Sequence, residues 1–450
     1  MTKRVTYLDN AATTPVRPEV LEAMLPYLGK EAFGNPSSAH RFGRAARAGL
    51  EEAKRAVATA VGAEPNQVVF TSGGTEADNL AIIGAALAAR DRGGPFRVAV
   101  SAAEHKAGLA AAHAVKHLGG EEIVLPVTAS GLVDTAALEA ALARGVAVVS
   151  VMWVNNEVGT VQPVGDVATR CCDSGVLFHS DAVQAFGKVP VSLRDVNCSL
   201  LTISGHKIGA PKGVGALIVR DRKAVEAIIH GGGQQFGIRP GTENVPGIVG
   251  LGTAARLAVE EQQALAARLR ELRDELERRL LAIVPDAVIN GWQAERAPHI
   301  SNVSIPGTDS EALLMHLDLA GIACSSGSAC STGSVEPSHV LTAMGVPREL
   351  GIAALRFSFG KDSTIEDVDA VAGALPEAVL LWRQCPRPSV LLAGLDHRRE
   401  AGRPQARDPA LRPQSRGPLR ARRHRQLRVG VRPRPDAHPV RALQLVHQVP

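Results

Sequence analysis

Leu200-Leu201-Thr202-Ile203-Ser204-Gly205-His206-Lys207 is followed by Gly209, Pro211, Gly213 and Gly215. An apolar run of strand type thus ends abruptly in Ser-Gly-His-Lys among residues that interrupt regular structure, which delivers the ammonium of Lys207 to the rim of a sheet. A lysine there is poorly placed as a plain solvated charge. Held in a partly dry site, its amine loses affinity for the proton and can attack an aldehyde, so Lys207 reads as a Schiff-base lysine.

Upstream, a buried-type strand at 176–181 ends in His179-Ser180-Asp181 with Gln184 just after it, and another at 146–151 leads into Trp153-Val154-Asn155-Asn156-Glu157. A strand at 97–101 leads to Ala103-Glu104-His105-Lys106 and a helix, then come a strand near 123–127 and a helix over 134–143. This alternation predicts parallel βαβ units and so an α/β fold with a mostly parallel sheet. Ligands of open α/β sheets gather at the carboxyl ends of strands, where His105, Asn156, Asp181, Gln184 and Lys207 all stand.

Farther out, Gln67-Val68-Val69-Phe70 reads as a strand, Thr71-Ser72-Gly73-Gly74-Thr75 as a tight turn and 76–89 as a helix. Free backbone N–H groups, a helix dipole and hydroxyls meeting at one spot make a phosphate cradle, of neither the dinucleotide Gly-x-Gly-x-x-Gly nor the Walker type. Residues 44–61 show helical spacing, and Gly34-Asn35-Pro36-Ser37-Ser38 is a turn suited to face a substrate. A long charged helix is expected over 256–284, joining the sheet domain to a smaller C-terminal one. Residues 323–334, Ala-Cys-Ser-Ser-Gly-Ser-Ala-Cys-Ser-Thr-Gly-Ser, lack hydrophobic pattern, and Leu355-Arg356-Phe357-Ser358 is a strand with one buried-looking cation.

With 450 residues the chain has room for about two to three domains. No early stretch has the shape of a secretory signal and no apolar run approaches the roughly 18 residues of a membrane span, so a cytoplasmic location is expected. Cys171, Cys172, Cys198, Cys324, Cys330 and Cys385 are too few and irregular for a disulfide framework, and no Cys-x-x-Cys zinc pattern occurs. The net charge of +5 belongs to the tail: residues 383–450 hold 16 Arg against 4 acidic residues, a net +12, leaving −7 for residues 1–382. Ten prolines and almost no apolar periodicity predict disorder there. The tail reads as an extension outside the fold, with a nucleic-acid or acidic-partner arm as the functional alternative.

The set Tyr7-Leu8-Asp9-Asn10-Ala11-Ala12-Thr13-Thr14, Thr71-Ser72-Gly73-Gly74-Thr75-Glu76, Glu104-His105-Lys106, Val154-Asn155-Asn156-Glu157, Asp181-Ala182-Val183-Gln184, Ser204-Gly205-His206-Lys207, Arg239-Pro240-Gly241-Thr242-Glu243-Asn244, Ser325-Ser326-Gly327-Ser328-Ala329-Cys330 and Arg356-Phe357-Ser358 closely resembles the pyridoxal-phosphate-dependent cysteine desulfurases. Within them it resembles the nitrogen-fixation and housekeeping iron-sulfur type with a long cysteine loop. The resemblance runs from about Tyr7 to Trp382 and leaves the tail uncovered.

It implies an aminotransferase-like architecture (pyridoxal-phosphate fold type I). An N-terminal segment, 1–20, would pack with the small domain; the large cofactor domain would be 21–255, the small C-terminal α+β domain with the Cys loop 256–382, and the tail 383–450. Pyridoxal 5'-phosphate would be held by Lys207, with Asp181 at its ring nitrogen, His105 stacked on the ring and Gln184 at the phenolic oxygen. Gly74, Thr75, Ser204 and His206 would take the phosphate, Asn156 would also touch the cofactor, and Thr242 would reach the neighbouring subunit's phosphate in a homodimer.

L-Cysteine would be held by Arg356, Asn35 and Asn156. Lys207 and His105 would be catalytic, and the Cys330 thiolate would take the substrate's sulfur as a persulfide, leaving alanine. The expected sulfur acceptor is a protein, an iron-sulfur scaffold or a transfer-RNA thiolase, to whose cluster Cys330 would pass sulfur or transiently bind; no resident metal is expected. A selenocysteine lyase or another pyridoxal-phosphate enzyme of this fold would differ only in its use of Cys330. A nucleic-acid binder acting through the tail is the non-enzyme alternative, and neither direct nucleic-acid binding nor a membrane is expected otherwise.

Overall fold

The computed structural model describes residues 5–326 and 336–384; Cys330, Cys385 and the tail from 385 onward lie outside them. The strands are β1 (Thr6–Tyr7), β2 (Val68–Thr71), β3 (Arg97–Ser101), β4 (Glu121–Leu125), β5 (Val148–Ser150), β6 (Leu177–Asp181), β7 (Leu200–Ser204), β8 (Gly215–Val219), β9 (Val288–Ile289), β10 (Ile300–Ser304), β11 (Ile322–Ala323) and β12 (Ala354–Ser358). The helices are α1 (Pro18–Leu28), α2 (Arg41–Val61), α3 (Gly74–Asp91), α4 (Lys106–His117), α5 (Thr135–Ala143), α6 (Val164–Asp173), α7 (Val245–Ile283), α8 (Ser310–Leu319), α9 (His339–Ala343), α10 (Arg348–Gly351) and α11 (Ile365–Gln384).

Seven strands form one sheet in the order β2-β8-β7-β6-β5-β3-β4. From β7 through β4 every pairing is parallel, while β8 runs antiparallel to both β7 and β2. The mostly parallel sheet read from the sequence is present, with one reversed strand. Every residue of β5, β7 and β8 is buried, as expected where helices cover both faces. In β7 the alternation is plain: Leu200 joins the core on the α3 and α4 side, Leu201 and Ile203 the core on the other side with α2, α5 and α6. Truncating Leu201 to Ala would cost about 2–5 kcal/mol.

A second, antiparallel sheet has the order β12-β10-β9, and β1 pairs in parallel with β11. Its core gathers Leu8, Leu313, Leu317, Leu355, Phe357 and Val368. Helix α7 serves both cores, giving Ile248, Leu251 and Ala254 to the first and Leu269, Leu272, Leu276 and Leu280 to the second.

This helix starts at Val245, eleven residues before the helical pattern expected from the sequence. Gly247, Gly250 and Gly252 hide its first turns, since glycine disfavours helix. They are there for packing: a Cβ on Gly252 would lie 2.7 Å from Ala53 Cα of α2, and one on Gly250 2.8 Å from Met24 Sδ of α1.

Candidate active site

The cradle forms where β2 ends and the chain turns through Ser72 and Gly73 into α3. Gly73 has φ +155°, and a Cβ on Gly74 would stand 3.1 Å from Val183 Cγ2 and 3.6 Å from Ser204 Cβ, filling space between residues that line one cavity. Glu76 braces the turn, accepting Ser72 N–H at 2.7 Å and Arg239 Nε–H at 2.7 Å.

Lys207 follows β7 in a single 3-10 turn, Gly205–Lys207. Its Nζ donates to the carbonyls of Ala11 and Ala12, both at 2.6 Å. Burial, then the nearby Arg356 charge, bring its pKa down to about 8, against the opposing pull of Asp181 and Asp9. Residues 11–14 wrap this turn: Gln184 Nε2 donates to Ala11 O at 2.8 Å, Thr14 Oγ1 to His206 O at 2.9 Å, and His206 Nδ1 lies 3.1 Å from Thr13 Oγ1. Burial and Lys207 push the His206 imidazole down to about 4.

Asp181 ends β6 and accepts Val183 N–H at 2.8 Å. Burial raises its pKa, while that bond and the charges of His105 and Lys207 oppose the rise. His105 caps α4, its Nδ1 accepting Ala107 N–H at 3.1 Å. Arg356 of β12 is buried; Nη2 donates to Asp9 Oδ1 at 2.7 Å and Nη1 to Asn156 O at 2.9 Å. Its Nε, like Asn156 Oδ1, is buried without a hydrogen-bond partner among the described residues.

One cavity of about 390 Å³ is lined by Gly74, Thr75, His105, Asn156, Asp181, Gln184, Ser204, His206, Lys207 and Arg356, together with Ala11, Ala12, Asp78, Met152, Val183 and Ser325. Ten residues expected from the sequence thus share its wall. Asn35 and Thr242 do not: both are exposed and absent from the lining, and Asn35 Oδ1 accepts Ser37 N–H at 2.9 Å. Cys330 lies outside the described residues, yet the chain on either side of 327–335 is fastened at the site. Ser325 exchanges backbone bonds with Arg356, Ser338 Oγ bonds the Glu157 carboxylate, and His339 Nε2 lies 2.9 Å from Glu104 O. Cys324 packs against the second core, where burial holds its thiol up at about 12.

Sequence reasoning missed Asp78, Met152 and the roles of Asp9, Ala11 and Ala12. The last three fall in a motif that carried the family resemblance; nothing marked the other two.

The aminotransferase class-V family model matches residues 6–371. A cysteine desulfurase IscS from Dictyoglomus turgidum is 44% identical over 377 residues, 84% of this chain and 95% of the relative. A cysteine desulfurase from Cereibacter sphaeroides is 47% identical over 375 residues, 83% of this chain and 95% of the relative. The solved structure of a NifS-like protein aligns with a TM-score of 0.78 at 36% identity, covering 84% of this chain and 100% of its own. With likeness of this extent in sequence and in fold, the chain belongs to the aminotransferase class-V family, among its cysteine desulfurases.

Proposed function

We propose that this chain is a pyridoxal-5'-phosphate-dependent cysteine desulfurase that converts L-cysteine to L-alanine and carries the sulfur away on Cys330. The observation that carries the reading is the meeting of Lys207, Asp181, Gln184, His105 and Arg356 in one cavity beside the N-terminus of α3. These residues fit the cofactor. Gly74, Thr75, Ser204 and His206 would hold its phosphate in a cradle that a Cβ would fill, Asp181 its ring nitrogen and Gln184 its phenolic oxygen, with His105 and Asn156 at the ring. When bound, the cofactor supplies an electron-withdrawing ring that stabilises negative charge at the substrate's α-carbon.

Lys207 supplies the base. With a pKa of about 8, roughly a tenth of the amine is neutral at pH 7, against less than ~0.1% for an ordinary lysine near 10.4. The neutral amine takes the proton from the α-carbon and returns it later. Arg356, in the cavity wall, holds the substrate carboxylate. Such charge-assisted pairing is worth about 1.5–3 kcal/mol.

The Cys330 thiolate attacks the substrate's Sγ. A sulfur–sulfur bond forms, the carbon–sulfur bond breaks, its electron pair stays with the carbon, and protonation there gives alanine. The sulfur remains as a persulfide for an acceptor protein. Anchoring of the chain beside the cavity at both Ser325 and Ser338 supports this role for the segment between them. The exposed position of Thr242, outside its own cavity, suits a residue that serves a second subunit of a homodimer.

Purified protein given the cofactor, a thiol reductant and L-cysteine is expected to release alanine and sulfide in equal amounts, and Cys330→Ser to abolish both. Cofactor bound through Lys207 with no alanine formed would overturn the reading, and turnover of selenocysteine alone would favour a selenocysteine lyase.

A further inference from the structure

Two carboxyl groups, not one, line the cavity among the described residues: Asp181 at the end of β6 and Asp78 in the first turns of α3. Both are nearly sealed, at 6% and 2% exposure. Their surroundings differ. Asp181 has the Val183 N–H at 2.8 Å and feels the charges of His105 and Lys207. Asp78 has a buried Oδ1 with no hydrogen-bond partner among the described residues, and His179 Nε2 stands 3.7 Å from it.

That imidazole is already committed. His179 is fully buried on β6, with Nδ1 2.9 Å from Ser150 Oγ and Nε2 3.0 Å from Thr202 Oγ1. Ser150 Oγ in turn reaches Glu104 Oε2 at 3.4 Å. A neutral imidazole between two hydroxyls donates to one and accepts from the other, so no second proton is called for. Burial accordingly holds His179 down at about 3.

The titratable groups facing Asp78 are therefore Asp181 and His179 from β6 and Glu104 from the end of β3, and none supplies a positive charge. A sealed carboxyl with no cation beside it and only the Thr202 hydroxyl to bond keeps its proton; burial and then the Asp181 charge raise its pKa well above the ordinary carboxylate range, against the smaller opposing pull of the Thr202 bond. Where two acids share one site, the one whose anion has a donor and nearby positive charge ionises, and here that is Asp181.

We infer that Asp78 is a positioning residue that stays uncharged, and that its neutrality leaves Asp181 as the one ionised carboxyl lining the cavity. A charge at position 78 would compete for the proton that Asp181 would share with the cofactor's ring nitrogen. The inference rests on that proposed role of Asp181.

Infrared spectroscopy of the full-length holoenzyme with and without ¹³C-carboxyl aspartate reads the state of Asp78 directly. An un-ionised aspartic carbonyl band is expected at pH 7, its isotope shift separating it from Glu104, and it should vanish in Asp78→Asn. A wild-type spectrum without that band overturns the inference without needing any variant to fold, and so does a band that survives in Asp78→Asn. The second readout is cofactor affinity and the pH midpoint of the bound cofactor's absorbance. Asp78→Asn, neutral and of the same shape, is expected within about twofold in affinity and about 0.3 pH unit in midpoint of the wild type, whereas a shift of about one unit or more means that Asp78 was charged. Asp181→Asn is expected to weaken cofactor binding by about tenfold or more. If it binds like the wild type, the role given to Asp181 falls instead, and the infrared band still decides for Asp78.

Discussion

Lys207 owes its chemistry to its surroundings, and the direction can be tested on the cofactor-free protein. Only the neutral amine captures an aldehyde, so the capture rate should rise about tenfold per pH unit and level off near the lysine's own pKa. For Lys207 that break is expected at about 8, where an ordinary lysine would go on accelerating to about 10.4. Arg356→Gln removes one of the two groups of causes that depress it and should move the break upward. Stopped-flow absorbance during pyridoxal phosphate capture checks both, and a rate still climbing at about pH 10 would contradict the reading. Residues at strand ends, such as Asp181 and Gln184, were legible because an apolar run that stops at a polar side chain points to the rim of a sheet. Asp78 was not. It lies in Thr75-Glu76-Ala77-Asp78, where acids near a helix N-terminus are ordinary, and its burial depends on β6 and β7, more than a hundred residues away. The partners of Lys207 were equally hidden, since a main-chain carbonyl has no letter of its own.

Strand β8 holds the cradle from beneath. A Cβ on Gly215 would stand 2.8 Å from the Cα and carbonyl carbon of Gly73, both backbone atoms with nowhere to swing. Gly215→Ala should therefore cost about 1–3 kcal/mol of stability and loosen the cradle. Thermal unfolding and cofactor titration are expected to fall together in this variant, whereas Gly165→Ala in α6, where a Cβ meets nothing within 4 Å, should leave cofactor binding unchanged. An unchanged affinity in Gly215→Ala would show that β8 does not set the cradle. Helices α1 and α8 to α11 and strands β8 to β11 went unread, whereas α2 to α5, most of α7, β2 to β7 and β12 were legible from their patterns, and β3 has the bounds expected for it. The reversal of β8 was not, because an alternation of side chains reads the same in either direction and only the pairing partner fixes the sense. The start of α7 was hidden for a different reason, since its glycines serve the close approach of α1 and α2 and only then the helix.

Across the whole molecule, the described part of the cavity and both hydrophobic cores lie within residues 6–384, while the net positive charge lies beyond them. Removing 385–450 takes away 15 arginines against 4 acidic residues. The truncated protein is expected to keep its cofactor absorbance, alanine formation and unfolding midpoint while losing retention on heparin; a fall in alanine formation would give the tail a part in catalysis. Composition made this division of charge legible, but the sharing of α7 between two cores was visible only in the fold. The hold on Lys207 spans the chain as well, joining position 207 to carbonyls at 11 and 12. Because those acceptors belong to the main chain, they persist through any replacement the backbone tolerates, readily at exposed Ala12 and only for small side chains at buried Ala11. The lysine's anchorage thus depends on where the backbone runs and not on which side chain it carries, so an insertion, a cut or a fused tag near the first dozen residues endangers it directly.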